Sequence, residues 1–240
     1  MKKLSAAIVT ALFLSSSFLP LSASAASLDA RVSAVAAIAS HTAAGNIPQL
    51  KTALADGLDK GLTVNEIKEV LIQLYAYCGF PRSLNGVTAF MGVLQNRHAR
   101  GIEDTQGPES TPMPPDLDRD RYGAEVRAAL SGVPADTPPS GYQVFVPALN
   151  DFLKQHLFAD IFFRDALSPK YRELATVAAL ASMTGTEPQI RAHLAMALRA
   201  GASPEELTEL LAVIQAQGSG EQAQTAAGLL KEVQASAASI

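Results

Sequence analysis

The chain has 240 residues, a formal net charge of −4 and a single cysteine, with no tryptophan. No basic excess or basic run is present, which excludes nucleic acid as an electrostatically held partner, and one cysteine excludes an internal disulfide framework. Alanine and leucine dominate and β-branched runs are short, so the composition favours helices.

The first element is a leader. Lys2 and Lys3 precede an apolar run from Leu4 to Leu19, Pro20 breaks it, and Ala23-Ser24-Ala25 supplies small residues at a cleavage point. This is the pattern of a secretory signal peptide, residues 1–25. The run is shorter than the roughly 20 residues a spanning helix needs. The expected location is therefore periplasmic or secreted, with no membrane attachment after cleavage. The remainder, 26–240, can bury a real core.

Three helices follow, expected at about 29–42, 48–60 and 64–78. Leu50, Leu54 and Leu58 form an apolar stripe on the second. Ile67, Val70, Leu71, Leu74, Tyr75 and Cys78 fall at helical spacing on the third. Residues 101–143 are rich in proline, with Pro108, Pro112, Pro114, Pro115, Pro134, Pro138 and Pro139. They read as a mostly irregular linker, interrupted by a short helix over 120–130. A helix over 147–158 leads on to three more, at about 169–184, 188–200 and 204–217, with Ile190, Leu194, Ala197 and Leu198 as a stripe. His41 reads as structural, and His98 and His156 face no evident partner.

The two sets of three helices are copies of one unit. Val35 to Thr42 (VAAIASHT) matches Val177 to Thr184 (VAALASMT). Each is followed by a glycine-containing turn and then Pro-Gln, at Pro48-Gln49 and Pro188-Gln189. Each second helix ends at a glycine, Gly61 or Gly201. Each third helix opens with a capping box, Thr63-x-x-Glu66 or Ser203-x-x-Glu206, and Glu69 corresponds to Glu209. Repetition of order, spacing and turn chemistry marks an internal duplication. The expected fold is all-α, with copy one over 26–100, the linker over 101–143 and copy two over 144–240. Each copy is too small to bury both faces of its hairpins, so the copies should pack on each other or on neighbouring subunits.

Two blocks resemble the carboxymuconolactone decarboxylase family, which shares its helical fold with the alkylhydroperoxidase D proteins. One is Phe158 to Ser168 (FADIFFRDALS) leading into Arg172-Glu173-Leu174-Ala175, Gln189-x-x-x-His193 and Ala197-x-x-x-Gly201. The other is Glu66 to Leu71 leading into Tyr77 to Asn85 (YCGFPRSLN). The family's Glu/His pair and its Tyr-x-Gly-x-Pro segment are divided here. Copy two has Glu173 and His193 but ends its third helix with Gln217-Gly218-Ser219-Gly220. Copy one has the Tyr77 segment but carries Ala53 where His193 would be, and Arg31 or Val32 where Glu173 would be. The resemblance implies a small-molecule substrate, a carboxylated lactone or related ring acid, and a homo-oligomer in the form of a trimeric ring. It implies no cofactor and no metal, and no set of His, Asp and Cys shows metal-ligand spacing.

Four residues stand out as candidates. His193 borders the apolar stripe of its helix and offers an imidazole as a general acid or base. Glu173 is the one acid in an otherwise apolar helix and could hold or pass a proton. A hairpin about Gly185 would offset the two by about five positions, roughly 7–8 Å of rise, which calls for a bridging water or substrate. Tyr77 follows Gln73 and Glu69 along a flanking, more polar column and could donate to a substrate oxyanion. Cys78 lies on the buried stripe. It is either an inert small hydrophobe or the nucleophile of a thiol-dependent peroxide protein, although no Cys-x-x-Cys pair is present. A third class, a non-catalytic oligomeric binding protein, would keep the fold without the chemistry. Because the two copies have lost complementary halves of one pattern, the economical expectation is a composite site where they meet. The leader makes one direct prediction: intact-mass measurement of periplasmic protein should show a chain beginning at Ala26, and a mass that includes residues 1–25 would contradict export.

Overall fold

The computed structural model describes residues 29–237, and the leader lies outside them. Among the described residues every regular element is helical. Copy one contains α1 (Ala30–Ala44), α2 (Ile47–Asp59) and α3 (Val64–Ala99). The connector contains α4 (Arg119–Ser131) and runs through the short α5 (Tyr142–Phe145) into copy two, which opens with α6 (Pro147–Asp151) and a π-helix (Phe152–Ile161). Copy two continues with α7 (Pro169–Leu180), α8 (Glu187–Arg199), α9 (Pro204–Ala216) and α10 (Gly220–Ala237).

The ends of these helices follow from the residues expected to cap them. Thr63 accepts from the Glu66 amide while the Glu66 carboxylate accepts from the Thr63 amide, and Ser203 and Glu206 do the same. Both glutamates also take an ion pair from the start of their copy's first helix, Glu66 from Arg31 and Glu206 from Lys170. Gly45 closes α1 in the left-handed region at φ 72°.

Two expectations need correction. The first arm of α3 does end at Cys78, as expected, but the residues that follow are helical as well. Gly79 adopts φ 81° and ψ 159°, outside helical space, and the chain at once begins a second helical arm that runs to Ala99. Pro81 sits in the first turn of that arm, where its missing N–H is not needed. The arm folds back on the first: Ser83 donates to the Leu71 carbonyl at 2.8 Å, and Gly86 packs against Leu71. Copy two has the equivalent arm as α10, which begins just after Gly218, φ 102°. The helix expected over 147–158 begins α-helical and continues as a π-helix to Ile161.

The central helices are buried on all sides. Eleven residues of α1 and nine of α7 are buried, which explains why both sequences are apolar right round rather than striped. Runs of alanine, Ala36-Ala37 and Ala178-Ala179, let α1 and α7 approach each other closely. Ser182 donates to Ser40 at 2.8 Å. These two serines occupy the same position in the two copies. Contact between equivalent residues, together with the reciprocal pairings of α3 on α7 and α9 on α1, is the signature of an isologous, two-fold-like arrangement.

The proline-rich connector is a strap. Its Thr105 and Gln106 carbonyls accept from the amides of Val64 and Asn65, and the Asn65 side chain donates to the Gly107 and Pro108 carbonyls. Further on, α4 packs against the π-helix and α8. Gly123 makes that approach possible, since a Cβ there would lie 1.8 Å from the Lys154 carbonyl oxygen. Gly123→Ala should force α4 away from the π-helix and cost about 1–3 kcal/mol. For a chain of this size that lowers the melting temperature by about 2–4 °C per kcal/mol. Thermal unfolding followed by circular dichroism would check it.

Candidate active site

The site lies where α3 of copy one crosses α7 and α8 of copy two. Glu69, Gln73 and Tyr77 occupy successive turns of α3 and face Arg172, Glu173 and Thr176 of α7. The sequence suggests a flanking polar column here; the fold buries it. Glu69 and Gln73 are 3% and 0% exposed, and Arg172 and Glu173 are fully buried.

A buried guanidinium holds the column in register. Arg172 donates through Nη2 to Glu69 Oε2 at 2.8 Å and to the Arg164 carbonyl at 2.5 Å, and through Nη1 to Gln73 Oε1 at 3.3 Å. Gln73 donates onward to the Thr176 hydroxyl at 3.2 Å, which itself donates to the Arg172 carbonyl. Arg164 closes the other side of Glu69 with a two-pronged contact at 2.7–3.0 Å. Burial pushes the Arg172 guanidinium below its ordinary range, and Glu69 is the largest opposing influence. The strap reaches this cluster too, with Ser110 donating to Glu69 and Thr111 donating to Asp165.

One turn along α7, Glu173 meets His193. The carboxylate oxygen Oε2 lies 2.7 Å from His193 Nδ1. The expected bridging water or substrate is not needed, because α7 stops at Leu180 instead of continuing to residue 184. Residues 181–186 form the turn, and α8 begins at Glu187. Glu173 is then seven residues before the end of α7 and His193 six after the start of α8, nearly level. A carboxylate on Nδ1 favours the tautomer with the proton on Nδ1. Among the described residues Nε2 has no hydrogen-bond partner, and the His193 side chain is 10% exposed.

Tyr77 comes to the same place from copy one. Its ring meets the His193 ring edge-on, with centroids 5.2 Å apart and planes at 85°. Its hydroxyl points inward and makes no hydrogen bond, as do Glu173 Oε1 and Arg172 Nε. Burial, reinforced by Glu173, pushes the phenol well above the ordinary tyrosine range, so it stays protonated. Tyr77 also joins an apolar cluster with Phe158, Phe162 and Met196. Cys78 is half-buried and its thiol donates to the Leu74 carbonyl at 3.1 Å. Burial raises its pKa, with Arg82 opposing.

Glu69, Gln73, Arg164 and Arg172 are the part of the site that the sequence reading missed. The signal was available: polar residues at i, i+4 and i+8 of an apolar helix, opposite Arg172 and Thr176 at i and i+4. Two other placements differ from expectation. His156 does have a partner, Asp160 Oδ2 at 2.8 Å, and His98 lies 3.4 Å from Glu103. A cleft of about 610 Å³ lies elsewhere in copy one, lined by Lys51, Asp56, Asp59, Asn96, Arg97 and Arg100, and contains none of the four candidates. No cluster of metal-ligating side chains is found among the described residues.

The arrangement defines a class: a tandem, all-helical protein with a carboxylate–imidazole pair supplied by one copy and a tyrosine by the other. Residues 18–90 and 147–232 each match the carboxymuconolactone decarboxylase family, and the chain belongs to that family. No curated protein matches the chain, so the match brings a fold and no particular substrate.

The buried charges make a stability prediction. Glu69→Ala leaves Arg172 in the interior without its carboxylate and should cost about 3–5 kcal/mol. Replacing both partners with apolar residues, Glu69→Leu with Arg172→Met, should cost less than the single change. Urea unfolding of the two variants would check the order.

Proposed function

We propose that the chain is an exported decarboxylase acting on a small carboxylated lactone or ring acid, with His193 and Glu173 handling the proton. The observation that carries this reading is the 2.7 Å contact between Glu173 Oε2 and His193 Nδ1. Glu173 orients the ring and stabilises the imidazolium, leaving Nε2 as the atom that meets substrate. In the proposed step the bond between the ring carbon and the carboxylate breaks and carbon dioxide leaves. The electron pair delocalises into the unsaturated lactone, placing negative charge on its carbonyl oxygen. His193 Nε2 then delivers a proton to carbon and recovers one from solvent.

Tyr77 supports this reading in two ways. Its ring fixes the edge of the imidazole, and its phenol, held protonated by burial, remains a hydrogen-bond donor for developing negative charge. Phe158, Phe162 and Met196 pack with Tyr77 and offer the weakly hydrated surroundings in which loss of carbon dioxide is easier. The thiol-dependent alternative is weaker. Peroxide reduction needs a thiolate and a second thiol to resolve the sulfenic acid. Cys78 is the sole cysteine, and its burial favours the neutral thiol.

The test uses the purified mature chain and a panel of lactone carboxylic acids, with release of carbon dioxide as the readout. His193→Ala would strand a buried carboxylate, so the informative variant is His193→Asn, which keeps a donor for Glu173 and cannot titrate. It should lose about 100-fold or more of turnover while melting within a few degrees of the parent, and Cys78→Ser should leave turnover intact. Unchanged turnover in His193→Asn would overturn the proposal, and loss of turnover in Cys78→Ser would favour thiol chemistry.

A further inference from the structure

The folded-back arm of α3 and its counterpart α10 are equivalent helices with opposite surfaces. Their buried faces align: Ser83, Gly86, Phe90 and Val93 in one correspond to Ala223, Ala226, Leu230 and Val233 in the other. Their outward faces do not. The arm presents Phe80, Leu84, Val87 and Met91, which are 62, 58, 38 and 66% exposed. The same positions in α10 hold Gly220, Gln224, Ala227 and Lys231. The scaffold does not require an apolar surface there, because the second copy folds without one.

The apolar surface continues beyond the arm. Phe80 stacks on Tyr75 with centroids 4.5 Å apart, and Tyr75 lies against His156 of the π-helix. That helix begins at Phe152, 66% exposed, and just before it Val144, Phe145 and Leu149 are 61, 87 and 47% exposed. Side chains of this kind offer about 150–200 Å² each when free. The stripe alone then presents roughly 400 Å², and the whole face roughly 1,000 Å². A soluble monomer's largest apolar patch is about 300–600 Å², and a stable interface takes about 800 Å² from each partner.

We propose that a second copy of the chain docks here, the two α3 arms pairing antiparallel about a two-fold axis. The spacing of the stripe supports this occupant. Steps of four, three and four residues read the same in both directions, as a self-complementary contact requires. Centred between Leu84 and Val87, the pairing sets Phe80 against the partner's Met91, a favourable sulfur–aromatic contact, and Leu84 against the partner's Val87. Gly92 beside the stripe lets the backbones approach. A trimeric ring, as the family resemblance implies, closes through unlike surfaces; this contact joins like surfaces and sets a dimer in place of that ring. Its position also matters. Phe80 follows two residues after Cys78, so the docked copy forms an outer wall beside Tyr77 and Cys78. The inference does not depend on the chemistry proposed for His193.

Light scattering on the mature chain at micromolar concentration tests it. The parent should have twice the single-chain mass. Leu84→Gln with Met91→Lys installs the residues that α10 already tolerates, and should halve that mass while leaving the helical circular dichroism and melting profile of a folded chain. In a Cys78→Ser background, a chain carrying Leu84→Cys should cross-link under mild oxidation to one carrying Val87→Cys. A parent of single-chain mass, a double variant that keeps the parent mass, or failure of the cross-link would each overturn the proposal.

Discussion

Everything at the site depends on one buried charge. Arg172 is a fully buried guanidinium, and an unpaired charge in the interior is too costly to persist. Its carboxylate, Glu69, comes from the other copy. The two copies are thus held not only by apolar contact, which tolerates sliding, but by a bond with fixed geometry. Glu69, Gln73 and Tyr77 share one face of α3, and Arg172, Glu173 and Thr176 lie on adjoining turns of α7. Fixing Glu69 on Arg172 therefore fixes Tyr77 beside Glu173 and His193. Arg164 and the strap residue Ser110 close the cluster from outside.

The two-fold-like arrangement would allow two such sites, and the chain has kept one. The mirror position brings α9 onto α1. There Gln217 stands for Tyr77, Ala53 for His193, and Arg31 or Val32 for Glu173. Gln217 Oε1 is buried without a partner, as Tyr77 Oη is, but no imidazole or carboxylate pair accompanies it. Duplication freed each copy to lose half of the pattern provided the surviving halves meet. The same freedom appears on the surface, where the outer arm of copy one became apolar and that of copy two stayed polar. Relaxed symmetry thus left the Glu173–His193 pair and the apolar outer arm each on one copy only.

The connector completes copy two rather than merely joining it to copy one. Its first part runs over the start of α3 to the Glu69 cluster, and its second part places α4 on α8, the helix that carries His193. Residues 101–118 lack regular structure yet are anchored by backbone hydrogen bonds at Val64 and Asn65. Prolines suit such a strap because they restrict the unfolded chain and need no ladder partner.

The sequence by itself determined the local elements and their duplication. Caps such as Thr63-x-x-Glu66 act over three or four residues, and apolar spacing acts over one or two turns, so both are legible without a fold. It also singled out Glu173, His193, Tyr77 and Cys78, and the division of the first three between copies. Only the tertiary structure decided what depends on distance in space. The early end of α7 at Leu180 set Glu173 level with His193. Burial turned the polar column of α3 from a wet face into an internal network, because the partner helix supplies Arg172 and Thr176. The fold-back at Gly79 was visible as a glycine and a proline, but those residues signal only that a helix stops. Where the chain goes next depends on what it can pack against, and for the α3 arm that surface is the face of the preceding arm at Leu71 together with Thr42 of α1, which exists only once those helices have packed.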